Sequence, residues 1–126
     1  MDLVRIQAEY TAARQQFSYV ELHPTTQGSV FAKAALQPTP QQFYVVAVHF
    51  PNDYPNSMPR VYVQKPTIDS ASPHQYKEGH ICFLHPSMWN PGVHDLKFVI
   101  ARTAKWLSKY EIWKQSRRWP GASVAH

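Results

Sequence analysis

The one cysteine of this 126-residue chain, Cys82, sits in the run Ser72-Pro73-His74-Gln75-Tyr76-Lys77-Glu78-Gly79-His80-Ile81-Cys82-Phe83-Leu84-His85, with three histidines within eight residues of it. A free thiol has a pKa of about 8.5, so only a few per cent is thiolate at neutral pH; nearby cations raise that share. Lys77, His80 and His85 stand close enough in sequence to act so. A thiol of this kind suits carriage of an acyl group as a thioester, which amines and other thiols then attack. Two other chemistries use the same residue types. His80-x-Cys82-x-x-His85, joined by His74 or His94, supplies zinc ligands, although the spacing departs from the paired Cys and His patterns. A Cys-His hydrolase needs an orienting Asn or Asp as well, for which Asn90 and Asp95 are available. A fourth reading makes Cys82 an inert buried residue of a non-catalytic binding module. The turn formers around the cysteine favour presentation by a loop.

The composition narrows the setting. With 44% hydrophobic and 17% charged residues the chain is an ordinary globular one and not a disordered one. Its length suits a single domain over residues 1–126, with about 120–126 expected to fray. No apolar run approaches the roughly 20 residues of a membrane span, and Met1-Asp2-Leu3-Val4-Arg5 begins no signal peptide. One cysteine forms no internal disulfide, so a reducing, cytoplasmic location is expected. Much of the net charge of +5 is local: Lys97, Arg102, Lys105, Lys109, Lys114, Arg117 and Arg118 face the single acid Glu111. A solvated helix face, an acidic protein partner and nucleic acid all fit such a stretch; no nucleic-acid motif accompanies it, and no direct nucleic-acid contact is expected.

The elements that must hold the cysteine read as follows. Leu3, Ile6, Tyr10, Ala13 and Phe17 recur at helical spacing behind an Asp2 cap. Strands are predicted over Tyr19–His23, Ser29–Leu36 (broken by Pro38-Thr39-Pro40), Gln41–Phe50 and Val61–Val63, and their short connections favour an antiparallel meander. His49 falls inside the third strand and reads as structural. Pro51, Pro55 and Pro59 predict a stiff, extended connection. Residues 65–91 lack periodicity, which in a compact domain points to function. A second helix from an Asp95 cap through about Arg117 carries Leu96, Val99, Ile100, Thr103, Trp106, Leu107, Tyr110 and Trp113. That stripe is wider than one packed face needs, so either the helix is covered on two sides or Trp106 or Trp113 is left for a partner.

In this order the motifs resemble those of the ubiquitin-conjugating enzyme family over nearly the whole chain. Phe50-Pro51-x-x-Tyr54-Pro55-x-x-x-Pro59 is similar to its proline-rich signature, and Ser72-Pro73-His74 followed by Gly79-His80-Ile81-Cys82 is similar to its His-Pro-Asn element and Gly-x-Ile-Cys, with the same step to the cysteine. Trp89-Asn90-Pro91 resembles its Trp-Ser-Pro, one residue closer to the cysteine. The ending, Trp106-Leu107-x-x-Tyr110-Glu111-x-Trp113 to Trp119-Pro120-Gly121, resembles the prokaryotic branch found in antiphage (CBASS-like) operons. The resemblance implies an α+β ubiquitin-conjugating fold, a four-stranded antiparallel meander flanked by N- and C-terminal helices with a long cysteine loop. It implies that Cys82 carries the C-terminal glycine of a partner protein, a cGAS-like nucleotidyltransferase or a ubiquitin-like protein, and passes it to an amine, served by an activating enzyme where one exists. No metal or small-molecule cofactor is needed, because the energy arrives in the thioester.

His74 stands where that family has the asparagine assigned to oxyanion stabilisation or loop support; an imidazole N–H donates as an amide does, or the ring takes a proton from the incoming amine. Tyr76, His80 and His85 are expected to polarise the thiol or the amine, and Trp89 and Pro91 to buttress the loop. Ile6, Tyr10, Tyr54, Pro55 and Met58 are expected to meet the partner. The family's acidic residue beyond the cysteine loop has no counterpart, its place being taken by a longer basic helix. A catalytically silent scaffold of the same fold is the alternative.

Overall fold

A computed structural model describes residues 1–121. Helix α1 (Leu3–Gln16) starts where the Asp2 carboxylate accepts from the Arg5 N–H at 3.0 Å. Four strands follow, β1 (Val20–Pro24), β2 (Val30–Thr39), β3 (Gln42–His49) and β4 (Arg60–Lys65), joined in the order β1-β2-β3-β4 with every neighbour antiparallel. Helix α2 (Leu96–Ser116) begins at Asp95, whose side chain accepts from Phe98 N–H, and stops at Arg117 in the left-handed conformation. The architecture is the α+β meander flanked by two helices. No helix among the described residues is long and apolar enough to cross a membrane.

Strand alternation sends Ala32, Ala34 and Leu36 of β2, Tyr44, Val46 and Val48 of β3 and Val61 of β4 to one face, all buried. Helix α2 lies on it, contacting β2 and α1. Its wide stripe is covered on both sides: Leu96, Val99, Ile100, Leu107 and Tyr110 join the core, while the cysteine loop covers Trp106. Trp106 and Trp113 are therefore core residues, at 4% and 6% exposure, and neither is left for a partner.

Two expectations about strands and connections change. β2 does not stop before Pro38 but runs to Thr39, because the β2–β3 register shifts between Leu36 and Thr39 and an irregular ladder there needs no N–H from proline. The segment after Phe50 is folded into turns rather than extended: Tyr54 N–H reaches Pro51 O at 3.0 Å and Asn56 N–H reaches Asp53 O at 2.8 Å. The turns exist because Tyr54 must enter the core, where it is 1% exposed and its ring meets Phe50 at 4.8 Å. Its hydroxyl donates to Glu9 at 2.5 Å.

Glu9 is the polar hub of this end of the molecule. One carboxylate oxygen accepts from Tyr54 Oη and from Leu96 N–H at 2.8 Å, and the other pairs with Arg5 at 2.6 Å. Arg5 then donates to the carbonyls of Pro91 and His94. One ion pair thus ties α1, the proline-rich turns, the end of the cysteine loop and the start of α2.

The candidate active site around Cys82

Cys82 closes a hairpin-like loop. Gln75 and Ile81 form an isolated antiparallel bridge, Tyr76 N–H donates to His80 O at 2.8 Å, and Gly79 N–H donates to Tyr76 O at 2.9 Å. Gly79, at φ +100°, sits where a side chain would be strained. The loop hangs from the sheet through Ile81 N–H on Val61 O at 2.9 Å. It hangs from α2 through His74, whose carbonyl accepts from both Cys82 N–H (2.8 Å) and Trp106 Nε1 (3.1 Å). To offer that carbonyl, His74 adopts φ +59°, a left-handed conformation that costs a non-glycine residue about 1 kcal/mol.

The cysteine is not displayed as its turn-rich flanks suggest. It is 6% exposed, and burial pushes the thiol pKa up, outweighing the contacts to Tyr76 and Leu84, which pull it down. The expectation that Lys77, His80 and His85 lower it is not met. Tyr76 opposes the burial: its hydroxyl lies 3.5 Å from Cys82 Sγ and favours the thiolate, while desolvation, with that contact, lifts the phenol itself to about 12. The sulfur also lies 3.6 Å from Leu84 O.

His74 and Cys82 line one narrow groove, about 50 Å³, between the loop and α2. Burial and the nearby Lys109 ammonium lower the His74 pKa, which keeps the ring neutral near pH 7. Its ring centroid lies 5.0 Å from that of Trp119. His80 lies elsewhere. It is 8% exposed, stacks on Tyr76 at 4.3 Å, and lines a second groove with Met58, Arg60, Tyr76, Glu78 and Pro86. Its pKa is lowered by burial and by Arg60, and its buried Nδ1 meets no hydrogen-bond partner among the described residues. His80 is also the last of a row of rings crossing the outer face of the sheet, His23, Phe31, His49 and Tyr62, with successive centroids 5.2–5.8 Å apart. That row is where the strand histidine His49 belongs.

His85 caps the short 3₁₀ turn Pro86–Met88, its Nδ1 accepting from Ser87 N–H. Trp89 donates to Pro55 O at 2.8 Å, and Pro91 O receives Arg5. Ile6 and Tyr54, expected at a partner surface, lie instead in the core at 1% exposure each, drawn in by the packing of α1 and by Glu9. Tyr10, Pro55 and Met58 are half-buried. Leu3, read from the sequence as part of the apolar face, and Val4, which was not singled out, are the exposed large apolar residues of α1, at 53% and 84%.

Among the described residues no three His, Cys, Asp or Glu side chains gather as a metal site requires. Asn90 Oδ1 accepts from Gly92 N–H and Asp95 caps α2, so both candidate orienting groups serve the loop end. What sequence reading passed over is the other wall of the Cys82 groove: Arg102, Lys105 and Lys109 of α2 line it beside Trp106 and Trp119. The signal was present as the spacing of three and four residues from 102 to 109, one helical face.

No curated protein matches the chain. Among solved structures, one titled "A complex of the Vps23 UEV with ubiquitin" is similar over 85% of this chain and 95% of that one, with 11% identity and a TM-score of 0.49. The sequence model of the E2-CBASS family, described as "Type II CBASS E2 protein", matches residues 9–126, and the chain belongs to that family.

Proposed function

We propose that Cys82 accepts the C-terminal glycine of a partner protein as a thioester and hands it to an amine. Family membership carries an E2-like role in antiphage defence and association with other CBASS proteins; the thioester step and the partner, a cGAS-like nucleotidyltransferase or a ubiquitin-like protein, are the finer reading. The observation that supports it is the Cys82 groove, where the thiol and a neutral imidazole line one small opening, with the Tyr76 hydroxyl 3.5 Å from the sulfur.

The acyl group arrives activated, on the thiol of an activating enzyme. Cys82 Sγ gives up its proton and attacks the carbonyl carbon; the new S–C bond forms, the donor's S–C bond breaks, and the departing donor thiolate takes up a proton. An amine then attacks the same carbon, the C–Sγ bond breaks, and the proton lost by nitrogen returns to Cys82. Negative charge builds on the carbonyl oxygen in both steps, and a donor such as the His74 N–H stabilises it. The raised thiol pKa makes Cys82 a poor resting nucleophile and a stable host for a protonated thiol until the partner is seated.

The burial of Cys82 favours a second reading, a scaffold of the same fold that binds a partner without transfer. One experiment separates the two. The protein is incubated with its CBASS partners, with an activating enzyme and ATP where one exists, and run on a non-reducing gel followed by mass spectrometry. A thiol-sensitive adduct on the wild type that is absent from Cys82→Ala supports transfer. Undiminished antiphage protection by Cys82→Ala leaves the scaffold.

A further inference from the structure

Resting on the transfer reading, we infer that the groove beside Cys82 selects an acidic tail: the segment that ends in the glycine bound for Cys82 carries Asp or Glu just upstream. Three observations carry this. Arg102, Lys105 and Lys109 point along one wall, and among the described residues none pairs with a carboxylate, whereas Lys114 of the same helix and Arg117 at its C-cap pair with Glu111 and Asp69. Arg102 is held in place by its bond to the carbonyl of Phe83, the residue after Cys82, at 3.2 Å, so its charge is fixed rather than swinging. No acidic side chain lines the groove among the described residues. A row of unpaired cations beside a reactive site is an electrostatic guide for an anion.

The dimensions indicate what kind of anion. The groove holds about 50 Å³ at Cys82, room for backbone but not for a large side chain, which suits a glycine end. From Arg102 to Lys109 the wall rises about 10 Å along the helix axis, the length of about three residues of extended chain. Carboxylates spread over that stretch meet the cations in turn, while the half-buried Trp119 packs against the chain beside them.

The test is fluorescence polarisation on Cys82→Ser, which binds without transferring. Labelled short peptides ending in glycine carry Asp/Glu, Ser/Asn or Lys at the upstream positions. Three exposed ion pairs amount to roughly tenfold, so the acidic peptide binds about tenfold more tightly than the neutral one, and added salt erodes the difference. Lys105→Glu/Lys109→Glu removes the preference and favours the Lys peptide. Lys97→Glu, which removes the positive charge of a residue on the same helix but outside the groove, leaves it intact. Equal binding of acidic and neutral peptides, an effect of Lys97→Glu as large as that of the double variant, or tighter binding by a competing oligodeoxythymidine each overturns the proposal. Thioester formation without acidic preference refutes this inference alone; acidic preference without an adduct on wild-type Cys82 refutes transfer alone.

Discussion

The Glu9 hub and the Cys82 loop use polar groups in opposite ways. At Glu9 both carboxylate oxygens are occupied, Tyr54 and Arg5 are satisfied by it, and Arg5 finds two further carbonyls. In the Cys82 loop and its groove, among the described residues, a buried imidazole nitrogen has no partner, three cations face a groove without a carboxylate, and a non-glycine residue is held in the left-handed region. Completed networks hold structure, whereas incomplete ones cost stability and persist where something outside the chain completes them. The contrast predicts that changes at the hub lower stability, and that changes in the loop leave stability level or raise it while altering reactivity.

The largest effect belongs to Glu9→Ala. It strips a charged acceptor from the Tyr54 hydroxyl and the Leu96 N–H and leaves Arg5 without its ion partner, a loss of about 3 kcal/mol. Urea denaturation should show a lower midpoint with an unchanged slope. A cost below about 1 kcal/mol would remove Glu9 from its place as hub. Next is His80. Its pKa is depressed in the folded state, so its contribution to stability is present above the ordinary histidine value of about 6.5 and is lost as pH falls through the depressed one. His80→Phe keeps the stack on Tyr76 and removes both the titration and the unpartnered nitrogen. It should stabilise by about 1 kcal/mol at pH 7 and flatten the acid limb of a stability profile measured below that value. An acid limb as steep in the variant as in the wild type would place the titration on other groups, His49 and His74 among them, whose pKa values are also lowered by burial.

How much of this was legible in the sequence follows from the range of the forces. Helix caps and strand alternation act over a few residues, so α1, α2 and the four strands are read off Asp2, Asp95 and the Val-rich runs. The placement of Ile6 and Tyr54 is not, because an amphipathic face says which residues are apolar and not which of them another element will cover. Glu9 gave no signal as a hub, since its partners other than the nearby Arg5 lie 45 and 87 residues away. The burial of Cys82 was hidden for the same reason: turn formers indicate a loop, and only the contacts of that loop with α2 show that its cysteine faces inward. The cations of the groove were seen as a charged stretch, but their direction depends on which face of α2 the loop occupies.

His74 sharpens the contrast within a single residue, since its backbone is strained and its ring lines the groove. His74→Gly relieves the left-handed penalty and should raise stability by about 1 kcal/mol, partly offset by lost contact with Trp119. The same change removes the imidazole and should lower the rate of adduct formation on Cys82. His74→Asn tolerates the same backbone and keeps a side-chain N–H donor, so it should retain most of that rate. Loss of the adduct in Asn as in Gly would assign the role to the imidazole ring itself.

The smallest structural change with a chemical readout is Tyr76→Phe. The ring stays on His80, so unfolding free energy should move by less than about 0.5 kcal/mol. The hydroxyl at 3.5 Å is the side-chain contact that favours the thiolate against burial. Without it the thiol pKa rises further, and a hydrogen bond of ordinary strength, about 1 kcal/mol, corresponds to about a fivefold loss of thiolate at any pH below the pKa. Alkylation of Cys82 by iodoacetamide, followed against pH, should therefore shift to higher pH in the variant and slow about fivefold at neutrality, with the plateau rate at high pH retained. An unchanged profile would mean that Leu84 O and the loop backbone set the thiol, and that Tyr76 holds the loop without tuning its chemistry. A slower plateau at an unchanged midpoint would instead show that the hydroxyl governs access to the groove. In that case the Cys82 loop would differ from the Glu9 hub in its geometry alone, and its electrostatics would come from α2.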